Sequence, residues 1–343
     1  MWKKMALIGA VAMANAFAAS AVAQPKHRVS QVVASSSFAF LPMYVAEQMG
    51  FFVEEGVELS TVVASSAQAA LALVSNGGGS AYYLASPVAG ARAAAQGAGM
   101  LNCGALMTQN PTNIVISAEA AKRLQVGDAK LLSTAKKVAL LKGLKLAAHT
   151  PGSSPDLTLK YVLKQYGLDA ERDVQILPIT FTAILPALER GRIDGFAYSS
   201  PVADEAVVRH GAVRLLSLAN GEVEPLAGQL SITMVCNRDW VTKQPDAAAA
   251  VVRALWRAMK LMKSDPVRAK SAARKAFPNL EDAVFNAAFD ANLNAFPDSP
   301  RINREQMQAA MDFNVKTGGV PIQVKPEDAF TNDAVDRAAK TMK

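Results

Sequence analysis

Apolar positions along this chain fall into two rhythms, short continuous runs and longer stretches with three- and four-residue spacing, and the two rhythms alternate. Short runs bounded by small and polar residues predict strands, and the wider spacing predicts amphipathic helices. In the first part of the chain the order is strand 29–34, helix 41–49, strand 57–63, helix 67–75 and strand 80–85. Further on it is strand 145–149, helix 157–166, strand 174–178, helix 184–190 and strand 195–198. The stretch "TPGSSPDLTLKYVLKQYG" (150–167) shows the helical rhythm: Leu159, Val162, Leu163 and Tyr166 share one face and Gly167 stops it. The tail predicts long helices over 245–263, 282–295 and 304–317.

The recurrence extends to the residues themselves. "SSFAFLPMYVAEQMGFFVEEGVEL" (36–59) aligns without a gap on "SSPDLTLKYVLKQYGLDAERDVQI" (153–176), placing Ser36-Ser37 on Ser153-Ser154 and Gly50 on Gly167. "ALALVSNGGGSAYYLASP" (70–87) aligns on "ILPALERGRIDGFAYSSP" (184–201), placing Ser86-Pro87 on Ser200-Pro201. Two blocks repeated in the same order mark an internal duplication. Strands alternating with helices imply mostly parallel sheets flanked by helices. The expected architecture is therefore α/β and two-lobed, with a discontinuous first lobe (24–110 and 240–343), a second lobe (113–235), and crossings near 108–112 and 231–240. About 320 residues are more than a single core usually serves.

The amino terminus changes the compartment. Met1-Trp2-Lys3-Lys4 is a positive head, Met5 to Ala19 an apolar run, and Ala21-Val22-Ala23 a small-x-small site. That layout predicts a signal peptide over 1–23, cleaved before Gln24, and hence an exported chain. The formal net charge is +7, two units of which belong to Lys3 and Lys4. The remaining Lys and Arg are scattered, which fits a solvated surface rather than a nucleic-acid footprint. Cys103 and Cys236 either pair in an oxidising compartment or stay as buried thiols. The apolar, strand-like context of both favours thiols.

In parallel sheets, ligands sit beyond the carboxyl ends of the strands. The duplication places Ser36, Ser37 and Phe38 there in the first copy, with Ser65, Ser66 and Ser86, and His149, Thr150, Gly152, Ser153 and Ser154 in the second, with Tyr198, Ser199 and Ser200. A serine at a helix entry is also an ordinary cap; it is the convergence of twin entries that points to a shared ligand. Phe40, Tyr82, Tyr83 and Phe181 are further aromatics near strand ends. Enzyme signatures are poor. No G-x-S-x-G elbow occurs, "GGGSAY" and "GAGMLN" lack the third glycine of a dinucleotide fingerprint, and no H-x-x-x-H or C-x-x-C spacing exists. No cofactor or metal is expected. Helix N-termini and hydroxyls suit a small anion, against which Asp156 stands as a repelling charge.

The segments "PMYVAEQMGFFVEEGVELSTVV", "LKGLKLAAHTPGSSPDLTLKYVLKQYGL", "ALERGRIDGFAYSSP" and "NRDWVTKQPDAAAAVVRALWRAM" resemble the solute-binding proteins of ABC importers for nitrate, sulfonates and taurine. That group also includes binders and synthases of the thiamine pyrimidine precursor. The resemblance covers nearly all of the mature chain. It implies a hinge-bending periplasmic receptor, expected to act as a monomer, that captures a small solute and delivers it to a membrane permease with its ATPase. The chain departs from the pattern at "NGGGSAYY", where Ser80 takes the place of an acid that Asp194 keeps in the second copy. Tyr198 stands where an aromatic, often Trp, is common in the family. The Cys-rich motif of the synthase branch is absent. The alternatives are a neutral or aromatic solute, such as a pyrimidine precursor or aromatic acid, and a periplasmic sensor or enzyme on the same lobes.

Overall fold

Three parallel strands from each copy, β1 to β3 and β6 to β8, form the nucleus of two separate sheets in the computed structural model. The structure describes residues 26–33, 37–75 and 79–342; the expected signal segment, its expected cleavage site and Ser36 lie outside them. The strands are β1 (His27–Val33), β2 (Val57–Val63), β3 (Tyr82–Ala85), β4 (Met100–Met107), β5 (Thr112–Ile116), β6 (Lys145–Ala148), β7 (Gln175–Pro178), β8 (Gly195–Ser199), β9 (Val213–Ser217) and β10 (Ile232–Asn237). The first sheet runs β2-β1-β3-β10-β4 and the second β7-β6-β8-β5-β9, the same order with β10 and β5 in the same place.

That shared place sharpens the expectation of mostly parallel sheets: one inserted strand in each runs against the other four. β10 runs antiparallel to β3 and β4, and β5 antiparallel to β8 and β9, so both sheets are mixed. The duplication shows only the parallel strands. The antiparallel ones lie in the segments where the chain passes between sheets, which the repeat does not cover. Residues 231–240, expected as a crossing, contain β10, a strand of the first sheet; the return passage precedes Ile232.

Alternation along the strands sorts the cores. Ile114, Ile116 and Ala197 face one side of the second sheet with Leu159, Val162 and Leu163, while Val115, Phe196 and Tyr198 face the other with Ile184 and Val202. Gly195 lies where β8 passes β5 so closely that a Cβ would sit 2.4 Å from the Val115 carbonyl oxygen. In the first sheet Leu101, Cys103, Met234 and Cys236 face the helix Pro245–Ser264, which buries Val251, Leu255, Met259 and Met262. The helix Ser154–Gln165 starts three residues before the expected 157, because Pro155 falls in its first turn, where proline is favoured.

Cys103 and Cys236 are bridged, with Cα atoms 5.9 Å apart, which overturns the expectation of free thiols. β4 and β10 are adjacent and both cysteines face the same core, a proximity invisible across 133 residues of sequence. Closing so long a loop removes much chain entropy from the unfolded state, and loss of such a bridge costs about 2–5 kcal/mol. Thiol titration of native protein should find no reactive cysteine, and adding reductant or the C103S/C236S change should lower the thermal midpoint. An unchanged midpoint would contradict the bridge.

At the amino end of the second sheet, Asp194 accepts hydrogen bonds from the Lys145 amide (2.8 Å) and the Arg123 guanidinium (2.7 Å). Burial alone would raise its carboxyl, but these donors bring it below the ordinary value of 3.8. Such a group stabilises the fold above its unfolded value, and the contribution disappears as pH falls through the lower folded value. We expect D194N to cost about 1–3 kcal/mol near neutral pH. In urea titrations the gap to the parent protein should close as pH drops below 3.8; a gap that persists there would refute this role.

Candidate ligand-binding site

Every parallel strand except β8 is followed by a helix entry that carries a Ser or Thr at its cap, and the hydroxyls are used differently in the two halves. In the first half they serve their own helices. Ser37 Oγ accepts from the Ala39 amide (3.2 Å), Ser66 Oγ from the Ala69 amide (3.1 Å) and Ser86 Oγ from the Val88 amide (3.3 Å). Ser65, beside Ser66, is exposed. In the second half Ser153 caps nothing through its side chain. Its Oγ is sealed from solvent and has no hydrogen-bond partner among the described residues.

Asp156 organises this turn instead. Its buried carboxylate accepts from the Gly152 amide (2.8 Å) and from Lys160 Nζ (3.0 Å), so it folds the "PGSSPD" turn back on itself. Gly152 sits at φ +82°, which favours glycine. Asp156 is therefore a neutralised support of the loop, not the free repelling charge the sequence suggested. Ser154, the first residue of the helix, and Thr150 remain exposed.

Three rings gather over the ends of β6, β7 and β8. His149 and Tyr198 have centroids 6.2 Å apart, and Phe181 lies 6.3 Å from Tyr198. Tyr198 donates its hydroxyl to the Ile179 carbonyl (2.7 Å), and burial pushes that hydroxyl's pKa up. His149 Nδ1 is 3.0 Å from Thr150 Oγ1. The structure thus brings His149, Thr150 and Tyr198 together. Phe181, among the aromatics expected near strand ends, joins them, and the structure adds Thr180, the exposed and uncapped entry after β7. The duplication carries a signal for Thr180: the register that places Pro87 on Pro201 also places Ser66 on Thr180.

Other candidates are engaged by the protein itself. Phe38, expected to stack on a ligand, is 1% exposed and packs against Phe277 (4.4 Å) and Phe285 (5.7 Å). The tail helix that supplies Phe285 covers it, a packing no local pattern announces. Ser199 pairs with Thr112 in the β5–β8 ladder. Ser200 is buried, and its Oγ accepts from Asn292 Nδ2 at 2.7 Å. Asn292 ends the helix Asp282–Asn292, which packs on Val202–His210 of the second half and, through Phe285, on Phe38 of the first. Beside it Asp204 pairs with Arg214; burial holds the Asp204 carboxyl above its ordinary range against that guanidinium.

The model of the NMT1-like family matches residues 10–276. The chain is 21% identical over 340 residues to the putative binding protein YtlA of Bacillus subtilis, covering 96% of this chain and 95% of that protein. It is 26% identical over 222 residues to the nitrate/nitrite binding protein NrtA of Nostoc sp., covering 62% of this chain and 49% of that relative, about half its length. Among solved structures, the periplasmic aliphatic sulphonate binding protein SsuA from Escherichia coli matches with a TM-score of 0.66 and 20% identity, covering 90% of this chain and 92% of that one. At that identity the likeness concerns the fold: two lobes, each with its own sheet.

The support given by Asp156 is testable. D156A should leave Lys160 and the Gly152 amide unpaired and cost about 1–3 kcal/mol of stability. D156N, which keeps one acceptor, should cost less than D156A. Equilibrium urea unfolding measures both, and a D156A protein as stable as its parent would contradict this account.

Proposed function

The chain belongs to the NMT1-like family, and on that premise we propose that it is the periplasmic solute-binding component of an ABC-type importer. It captures a small organic anion by lobe closure and hands it to a membrane permease with its ATPase. The observation that carries this reading is the pair of sheets with one strand order, whose parallel strands end in uncharged hydroxyl turns. Relatives named as binding proteins support it. The lobes follow the sheets: residues 24–110 with 232–343 form the first, and 113–231 the second. A single copy holds both halves of the proposed site, so a monomer suffices.

The anion preference rests on the helix entries at Ser153–Ser154 and Ser37. Amide donors and the positive ends of helices favour negative charge by about 0.3–1 kcal/mol each when exposed, and more when partly buried. Lys160 neutralises Asp156, which removes the main objection to an anion there. Binding rather than catalysis is supported by the chemistry of the loops. Both cysteines are tied in the bridge, which leaves no thiol nucleophile.

A thermal-shift screen of the mature protein against alkyl and aryl sulfonates, nitrate, carboxylates, pyrimidines and cationic amines tests this. A true ligand at 100 times its Kd should stabilise by about 2.7 kcal/mol. Stabilisation by neutral or cationic solutes alone would sink the anion, and no response to any solute would sink the binding function.

A further inference from the structure

We propose that two helices, one from each lobe, form a salt-sensitive catch that holds the lobes together until its outer ion pair parts, whichever solute the protein binds. The helix Asp282–Asn292 is part of the first lobe, whose core takes in its Phe285, Ala288 and Phe289. It packs on Val202–His210 of the second lobe, which buries Val202, Ala203 and Ala206 in its own core. The two run in opposite directions. Asn292, at the end of the first helix, meets Ser200 just ahead of the second; Glu281, just ahead of the first, meets Arg209 near the end of the second. The pair is therefore a seam between the lobes, with one side fixed in each.

The seam changes character along its length. Its inner end adjoins the passage between the lobes: the Thr108 amide donates to the Ala295 carbonyl at 2.8 Å, and Asn294 donates to Asn220 at 3.3 Å. Next comes Asn292, 1% exposed, which donates to Ser200 Oγ at 2.7 Å and to the Ala288 carbonyl at 2.8 Å. One helix length further out, about 16 Å, Arg209 Nε lies 3.5 Å from Glu281 Oε2, with both side chains more than half exposed. A rotation that pivots on the passage moves the outer end most, so the ion pair parts first. Parting costs little there. Exposed ion pairs contribute little and are screened by salt, whereas a buried pair would hold the lobes shut. Arg209 also donates to Glu205 at 2.6 Å, one turn back on its own helix, and Glu281 stands at the positive end of its helix, so release strands neither charge.

Small-angle X-ray scattering of the mature protein without added solute reads the lobes directly, so its outcome stands apart from that of the binding screen. Raising sodium chloride from about 10 mM to about 1 M shortens the screening length from about 30 Å to about 3 Å, and should increase the radius of gyration. E281Q and R209Q should show the larger radius already at low salt and little further change, with circular dichroism confirming that both fold. N292A removes the buried bond but not the ion pair; it should lower the thermal midpoint and keep the salt response. A parent radius indifferent to salt, a response that survives E281Q and R209Q, or one lost in N292A and kept in E281Q would overturn the catch.

Discussion

Each sheet depends on a strand delivered by the chain's passage from the other half. β10 enters the first sheet between β3 and β4, and β5 enters the second between β8 and β9. Both are hydrogen-bonded on two edges, so neither sheet is complete without its visitor. This ties the halves at two places deep in the structure rather than by a loose linker. The first passage is itself held. The Thr108 amide donates to the Ala295 carbonyl (2.8 Å), Gln109 accepts from the Gly228 amide (3.2 Å), and Asn110 donates to Thr158 (3.1 Å). A rotation of one half against the other must pivot on these short anchored segments, the arrangement that hinge motion requires.

Buried polar side chains complete the attachment of the tail. Asn102, fully buried in β4, donates to the carbonyls of Pro87 (3.1 Å) and Ala329 (3.0 Å) and accepts from Thr233 (2.6 Å). One amide thereby joins the helix after β3, the strand β10 and the tail. Buried amides that satisfy their partners in this way specify a single arrangement, because any other leaves them unpaired. The Asn292–Ser200 bond acts similarly where the tail helix meets the second half.

The two halves share a topology but not a chemistry. First-half hydroxyls cap their own helices, while in the second half an acid braces the turn at Ser153 and the sealed Ser153 hydroxyl caps nothing. The rings differ likewise: in the second half Phe181 is exposed beside Tyr198, while in the first Phe38 is covered by Phe277 and Phe285. Duplicated turns have thus diverged in how they are held, by hydroxyl caps in the first half and by the Asp156 carboxylate at Ser153 in the second.

Local pattern by itself determined the parallel part of this protein. Val57–Val63 has its expected limits, and the tail helices lie within a residue or a few of theirs. Spacing and duplication act over tens of residues, so they are written in the sequence. Tertiary structure decided what depends on distant segments meeting: the antiparallel insertion of β5 and β10, the Cys103–Cys236 bridge, the covering of Phe38, and the claim of Asn292 on Ser200. It also decided which serines cap their helices, as Ser37, Ser66 and Ser86 do and Ser153 does not, because a hydroxyl at a helix entry reads the same in sequence either way.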